Sequence, residues 1–154
     1  CTGIFHGMWG LPTYTPEIVQ DLIRYLVNKI ENNAYKIAHH KSYFLEDART
    51  VLISYGSAAR SALSVVEERR QKGERLGLLE LNTIWPFPSQ LVREKTANAN
   101  LIGVVEMNTG QLTQSVKLAV SDPTKVFLIN RIDCQLITDK DIKRILRVLQ
   151  GQGV

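Results

Sequence analysis

Four short apolar segments recur along the chain, and each is followed by a stretch in which apolar residues have helical spacing. The segments cover residues 51–55, 76–81, 101–106 and 125–130, and they recur about every 25 residues, as in successive strand–helix–strand units. Each is apolar throughout rather than alternating, so both faces of the sheet are covered. Because crossovers between parallel strands are right-handed, the pattern predicts a three-layer α/β/α fold around an open, mostly parallel sheet.

The first part of the chain does not have this strand–helix pattern. Residues 2–12 are rich in glycine, proline and aromatics without a sustained period, and Thr15 with Pro16 then marks a helix start. Apolar residues from Ile18 to Ile30 form one helical stripe, and a shorter helix is expected within 34–44. We therefore expect a connector and helical segment over 1–48 and an α/β sheet domain over 49–154, forming one domain overall. The loop at the start of the chain suggests a fragment whose connector, with Trp9, leans on a neighbouring surface.

Composition excludes several classes of function. The chain is 44% hydrophobic and 22% charged, and it has no apolar run of the roughly 18 residues that a membrane helix needs. We therefore expect no membrane partner. The net charge is +4, but the most basic stretch, 140–147, lacks the aromatic residues that stack on bases, so we expect no nucleic-acid partner either. Cys1 and Cys134 have neither disulfide-framework nor metal-ligand spacing, which favours a cytoplasmic protein.

The turn after the first apolar run is one place where chemistry could occur. Gly56 and Ser57 precede a helix whose free N–H groups favour an anion, and Arg60 follows one turn later. A dinucleotide fingerprint needs three spaced glycines, and only one is present. A glycine that makes a tight strand-to-helix turn is the favoured interpretation, and an anion site is the alternative.

A dense polar cluster follows the third run and includes Glu106, Asn108, Gly110 and Gln111. A carboxylate at the end of an apolar strand needs a partner, because an unpaired buried charge is costly. That partner is either the N-terminus of the next helix or a group on another domain, and the sequence leaves both open. We take the cluster as a candidate interface, and expect Asn108→Ala to weaken assembly or turnover while the chain stays folded.

Two further features of the sequence give no indication of an active site. Trp85, Pro86, Phe87 and Pro88 follow the second run, and packing or interface residues are a better interpretation than a cofactor site. The three histidines are scattered and suggest no nucleophile–base arrangement. No catalytic residue, cofactor-binding residue or metal ligand is therefore predicted.

In order, these segments resemble the family of 2-oxoacid:ferredoxin oxidoreductase α subunits. The resemblance rests on Thr2-Gly3 with His6 and Gly10, on Tyr55-Gly56-Ser57, on Thr-Ile-Trp-Pro-Phe-Pro at 83–88, and on Glu-Met-Asn-x-Gly-Gln at 106–111. It covers nearly the whole chain. The sequence departs from the family near its start, where Phe5 and Met8-Trp9 replace acidic residues that flank the family's histidine.

The resemblance implies a C-terminal domain with the transketolase C-terminal fold, acting as a structural and subunit-interface domain that is inactive alone. It implies an enzyme that oxidatively decarboxylates a 2-oxoacid, with coenzyme A as acyl acceptor and ferredoxin as electron acceptor. Thiamine diphosphate, Mg²⁺ and an iron–sulfur cluster are expected in the full complex and not in this domain. The expected partners are the thiamine pyrimidine domain of the same subunit, the β subunit and, through the complex, ferredoxin. The alternative is a stand-alone nucleotide- or CoA-binding module that uses Gly56, Ser57 and Arg60.

Overall fold

A computed structural model describes residues 3–149 and 151, and the chain divides into two compact units, one ending at Ile37 and one beginning at Ala38. The first unit contains a loop followed by helix α1 (Pro16–Glu31) and the single turn α2 (Ala34–Ile37). Helix α1 starts at Pro16, as the sequence predicts, although the Thr15 side chain makes no capping hydrogen bond. None of its residues is buried.

The second unit is built on a five-stranded sheet. Its strands are β1 (His40–Tyr43), β2 (Thr50–Tyr55), β3 (Leu76–Leu81), β4 (Leu101–Glu106) and β5 (Val126–Asn130), in the spatial order β1-β3-β2-β4-β5. The last four strands match the predicted apolar segments to within one residue at each end, and they pair in parallel. The predicted α/β fold with a mostly parallel sheet is confirmed.

Strand β1 was not foreseen, and the prediction of a helix across 34–44 is wrong beyond Ile37. Residues 40–43 pair antiparallel with β3, with His40 opposite Leu81 and Tyr43 opposite Leu78. The segment His-Lys-Ser-Tyr lies at the sheet edge, where polar residues are common, and its two central residues are exposed while its two end residues are half-buried. Its strand character comes from pairing with β3, which a periodicity analysis of the segment alone does not detect.

Four of the helices in the described part of the chain cover the sheet, two on each face. Helices α4 (Ser89–Lys95) and α5 (Gln111–Ala119) pack on the face that carries Ile53 and Val104, and α3 (Gly56–Gln71) and α6 (Asp139–Leu149) pack on the face that carries Leu52 and Val105. Consecutive strand residues thus point into opposite cores, which explains why the strand segments are apolar throughout. The three-layer arrangement is confirmed.

The helix ends follow local sequence signals. Thr138 and Asp141 form the capping pair at the start of α6, in which Thr138 N and Oγ1 both donate to Asp141 Oδ2, at 2.9 and 2.7 Å. This backbone hydrogen bond, then the Thr138 hydroxyl, lowers the pKa of Asp141. Pro88 is the N-cap of α4, which begins one residue later, at Ser89.

Candidate functional site

Strand order places a crevice at the carboxyl ends of β2 and β4. From β2 the chain runs through α3 to β3 on one side, whereas from β4 it runs through α5 to β5 on the other, with the two helices on opposite faces. In open α/β sheets, ligands or partners meet the carboxyl edge at such a switch point. Both polar clusters predicted from sequence lie here, since Gly56 follows β2 and Glu106 ends β4.

Glu106 is fully buried and bonds to the N-terminus of α5. Its Oε2 accepts a hydrogen bond from Leu112 N at 2.9 Å, and its Oε1 accepts from Thr113 N at 3.0 Å and Thr113 Oγ1 at 2.6 Å. The negative charge also faces the positive end of the helix dipole. Of the two partners that the sequence left open, the structure shows the helix N-terminus. Any role of Glu106 in an interface is therefore exerted through the loop that it holds in place.

Asn108 completes the same helix end. Its Oδ1 accepts hydrogen bonds from Gly110 N at 2.7 Å and Gln111 N at 3.1 Å. Together, Glu106 and Asn108 thus bond the backbone N–H groups of residues 110–113, the donors that a helix start leaves without intrahelical partners. Gly110, at φ +108°, adopts a left-handed conformation that favours glycine. Asn108 consequently has a structural role, and Asn108→Ala on its own does not separate that role from an interface role.

A hydrogen bond spans the switch point. Asn108 Nδ2 donates to the Tyr55 hydroxyl at 2.9 Å, which links the loop after β4 to the end of β2, and Asn130 Nδ2 donates to the Asn108 carbonyl at 2.8 Å. Sequence reasoning did not assign a role to the Tyr55 hydroxyl or to Asn130. Each is the last residue of a strand that pairs with β4, and that position was the available signal. The 107–110 loop is therefore fixed from three sides before any partner arrives.

The surface above this loop is apolar. Met107, Ile132 and Leu136, which we call the carboxyl-edge patch, are 39%, 67% and 66% exposed. Met107 and Leu136 line both of two adjoining cavities of about 440 and 340 Å³. Ile84 and Trp85 follow β3 on the same edge, at 45% and 71% exposure. Five of the eight exposed large hydrophobic residues described in 38–149 thus lie at this edge, and such a concentration of exposed apolar surface is a common property of interaction sites.

Charged residues flank the patch. Arg131 donates to Asp133 through Nε at 2.7 Å and through one terminal nitrogen at 2.9 Å, and its other terminal nitrogen lies 3.2 Å from Asp141 Oδ2. The hydrogen bonds with Asp133 raise the pKa of Arg131 and lower that of Asp133. The guanidinium is thus paired with two carboxylates beside Ile132, so the charged groups at the rim of the patch bond one another within the chain.

The four residues 85–88 have different environments. Trp85 is exposed, Pro86 is half-buried after a cis peptide bond, Phe87 packs against the core beneath α4 and α5, and Pro88 is buried. Of the proposed interface set, Trp85 and Gln111 are exposed and Asn108 is half-buried, while Glu106, Gly110 and Pro88 are buried. The buried members shape the loops, and the exposed ones are available to a partner. Met107, Ile132 and Leu136 were not identified from the sequence.

The anion-binding alternative has its own geometry. Gly56, at φ +58°, makes the turn from β2 into α3, and no side chain caps this helix. Ser57 and the exposed Arg60 line two cavities, of about 440 and 460 Å³. Within 3–149 and 151, no group of three or more His, Cys, Asp or Glu side chains is arranged to hold a metal, and no helix has the length and apolar character to span a membrane.

Comparison with known proteins identifies the family. Residues 48–142 match the family described as pyruvate:ferredoxin oxidoreductase core domain II. The chain is 36% identical over 132 residues to subunit KorA of 2-oxoglutarate synthase from Methanothermobacter marburgensis, covering 85% of this chain and 35% of that protein. It is 38% identical over 114 residues to the ketoisovalerate oxidoreductase subunit VorB of the same organism, covering 74% and 32%. The chain therefore spans about a third of the length of these curated relatives.

Solved structures show the same fold. A 2-oxoglutarate:ferredoxin oxidoreductase from Magnetococcus marinus, with 2-oxoglutarate, coenzyme A and succinyl-CoA bound, matches with a TM-score of 0.80 at 20% identity, over 93% of this chain and 25% of that one. A split-gene transketolase matches with a TM-score of 0.55 at 11% identity, over 70% of this chain and 40% of that one. The predicted transketolase-like fold is confirmed. Since the family match covers more than half of its residues, the chain belongs to the 2-oxoacid:ferredoxin oxidoreductase family, in which it corresponds to core domain II.

Proposed function

We propose that this chain is the C-terminal domain of the α subunit of a thiamine-diphosphate-dependent 2-oxoacid:ferredoxin oxidoreductase, and that it serves as a structural and subunit-interface domain. The complete cytoplasmic enzyme would convert a 2-oxoacid, coenzyme A and oxidised ferredoxin to acyl-CoA, carbon dioxide and reduced ferredoxin. Thiamine diphosphate, Mg²⁺ and the iron–sulfur cluster would be held by other domains and subunits. Family membership and the subunit names of the relatives support this assignment.

The observation that carries the interface role is the carboxyl-edge patch at the switch point. Met107, Ile132 and Leu136 expose apolar surface above a loop whose polar groups are bonded within the chain. Covering such a patch removes apolar area from water, at about 25 cal/mol per Å². A partner surface gains this energy without needing new polar contacts to the loop, which suits an interface between domains.

The electrostatics of the loop favour an apolar partner over an anionic ligand. The N-terminus of α5 would attract an anion, but its N–H groups already donate to Glu106 and Asn108. The Glu106 carboxylate adds a negative charge directly beneath the loop. A 2-oxoacid or the phosphates of coenzyme A would be repelled there, whereas the apolar side chains of another domain would not.

Paired charge substitutions test the proposal. Ile132→Glu/Leu136→Glu places two carboxylates on the patch, and Val148→Glu is the matched control, because Val148 is 64% exposed at the far end of α6. Each variant would be co-expressed with the polypeptides that carry the thiamine diphosphate domain and the β subunit. We expect the patch variant to lose co-purification and the reduction of ferredoxin by 2-oxoglutarate or ketoisovalerate with coenzyme A, while Val148→Glu keeps both.

The folded state of each chain is measured separately by circular dichroism. Exposed substitutions of this kind usually change stability by less than about 0.5 kcal/mol, so both variants should fold as the wild type does. If the wild type fails to assemble with these polypeptides, the proposed function is wrong. If the wild type and the patch variant assemble equally, the interface lies elsewhere on the chain.

A further inference from the structure

The first unit has no core of its own. Within residues 3–37 no side chain is buried, yet 11 of the 19 exposed large hydrophobic residues described in the chain belong to this segment. Without buried side chains, a segment of this size gains little stability from hydrophobic burial, and the hydrogen bonds of its turn and helix are what order it. Its apolar side chains therefore need a surface to pack against.

The loop before α1 is a preformed hairpin, formed by residues 5–13. Thr13 N donates to the Phe5 carbonyl at 3.1 Å, Gly7 N donates to the Leu11 carbonyl at 2.9 Å, and His6 and Pro12 form an antiparallel bridge. Gly10 N donates to the Gly7 carbonyl at 2.9 Å, which closes a β-turn. Gly10, at φ +74°, ends this turn in a conformation that favours glycine.

Met8 and Trp9 occupy the two central positions of that turn and point their surface outward. They are 91% and 87% exposed. An apolar pair held on a closed turn loses little conformational freedom when it docks, because its backbone is already ordered. Tryptophan in particular is enriched among the residues that carry most of the energy of an interface.

The charge pattern specifies the surface that would receive this tip. No charged side chain occurs between Gly3 and Pro16, although 22% of the whole chain is charged. A receiving surface with charged groups would leave those groups desolvated and unpaired, which is costly. The complementary surface is therefore apolar and uncharged.

A second copy of this chain does not offer such a surface in the cavities at its carboxyl edge. Each of those three cavities, of about 340 to 460 Å³, is lined by a charged side chain, either Arg60 or Arg131. The curated relatives, by contrast, have about two thirds of their length outside the region that this chain matches. These two observations favour another part of the oxidoreductase as the receiving surface.

We propose that the 5–13 hairpin is a docking anchor, which inserts Met8 and Trp9 into an apolar, uncharged pocket on the part of the oxidoreductase that lies outside this chain. The inference rests on the proposed function, because it requires that assembly. It adds a second contact, on a different unit from the carboxyl-edge patch and with different chemistry.

The test compares Met8→Ser/Trp9→Ser with Leu118→Ser, a control at 86% exposure on α5. The complete 154-residue chain is immobilised and titrated with the polypeptides that carry the thiamine diphosphate domain and the β subunit. We expect the hairpin variant to bind roughly 30-fold more weakly, the loss typical of a central aromatic anchor, and the control to bind as the wild type does. The fluorescence of Trp9 is obtained by subtracting the spectrum of the Trp9→Phe variant from that of the wild type. In the wild-type complex, we expect this emission to shift to shorter wavelength and to be protected from quenching by acrylamide.

The outcomes distinguish the inference from the proposed function. If the wild type does not bind these polypeptides, the proposed function is wrong, and the docking anchor, which depends on it, is wrong as well. If the wild type binds and Met8→Ser/Trp9→Ser binds equally well, the anchor alone is refuted. Loss of self-association of the isolated chain in sedimentation, without loss of binding to the other polypeptides, would assign the tip to a second copy and would also refute the inference.

Discussion

Replacing Glu106 by glutamine tests the central structural element of the site. The carboxylate accepts three hydrogen bonds, from Leu112 N, Thr113 N and Thr113 Oγ1, in a fully buried position. Glutamine retains one acceptor oxygen, so its NH₂ group must face one of these donors. An unsatisfied buried donor costs about 1–3 kcal/mol. The remaining bonds also weaken when the acceptor loses its charge.

We therefore expect Glu106→Gln to lower the free energy of unfolding by about 2 kcal/mol, which corresponds to a fall in Tm of roughly 4–8 °C for a chain of this size. Urea and thermal unfolding followed by circular dichroism measure both quantities. Thr113→Val, which removes only the hydroxyl donor, should cost about 1 kcal/mol. The double variant should be destabilised by less than the sum of the two single variants, because the Glu106 carboxylate and the Thr113 hydroxyl share one hydrogen bond. A value for Glu106→Gln within about 0.5 kcal/mol of the wild type would refute the assigned role of this carboxylate.

Three further predictions concern other parts of the second unit. Gly110→Ala should lower stability by about 1–3 kcal/mol in urea unfolding, because alanine is strained at φ +108° and its Cβ would lie 3.4 Å from Leu128; an unchanged midpoint would contradict the left-handed turn. Hydrogen bonds from Lys143 and then Lys72 lower the pKa of Glu68 to about 2 from its usual 4.5. The contribution of these bonds to the stability of the folded chain should therefore be complete above pH 4.5 and be lost as pH falls towards 2. Glu68→Gln should flatten this part of the pH–stability profile, and an unchanged profile would contradict the pairing. Coenzyme A or a dinucleotide should leave the Tm unchanged, whereas a stabilisation near 2.7 kcal/mol at a hundredfold excess over Kd would favour the stand-alone binding module at Gly56, Ser57 and Arg60.

The sheet was predictable because its strands are buried on both faces. Runs such as residues 76–81 and 101–106 are apolar throughout, and the helices between them have a single apolar face, so both layers of helices follow from local patterns. Strand β1 was not predictable in this way. Its four residues are polar and become a strand through their pairing with β3, which is a long-range contact.

The candidate site was predicted in position but not in detail. The end of β4 was identified because a carboxylate after an apolar run needs a partner, but that partner depends on how α5 returns over the sheet. The sequence could not distinguish the helix N–H groups from a group on another domain. The structure shows the helix N–H groups for Glu106 and a Tyr55–Asn108 bond across the switch point.

The carboxyl-edge patch was missed for a different reason. Met107, Ile132 and Leu136 come from two separate loops, and none belongs to a periodic pattern. Isolated apolar residues in loops are ordinary and carry no signal individually. They become a candidate interface only when the adjacency of β4 and β5 brings the two loops to the same edge.

Hydrogen–deuterium exchange of the isolated chain and of its assembly with the thiamine diphosphate domain and β subunit tests the interface proposal most directly. Backbone amides in loops exchange readily unless a partner covers them. The proposal predicts slower exchange on assembly at residues 107–111 and 131–137, with no change around Val148 at the far end of α6. Assembly that leaves both loops exchanging as in the isolated chain would contradict the proposal that the carboxyl edge is the contact surface.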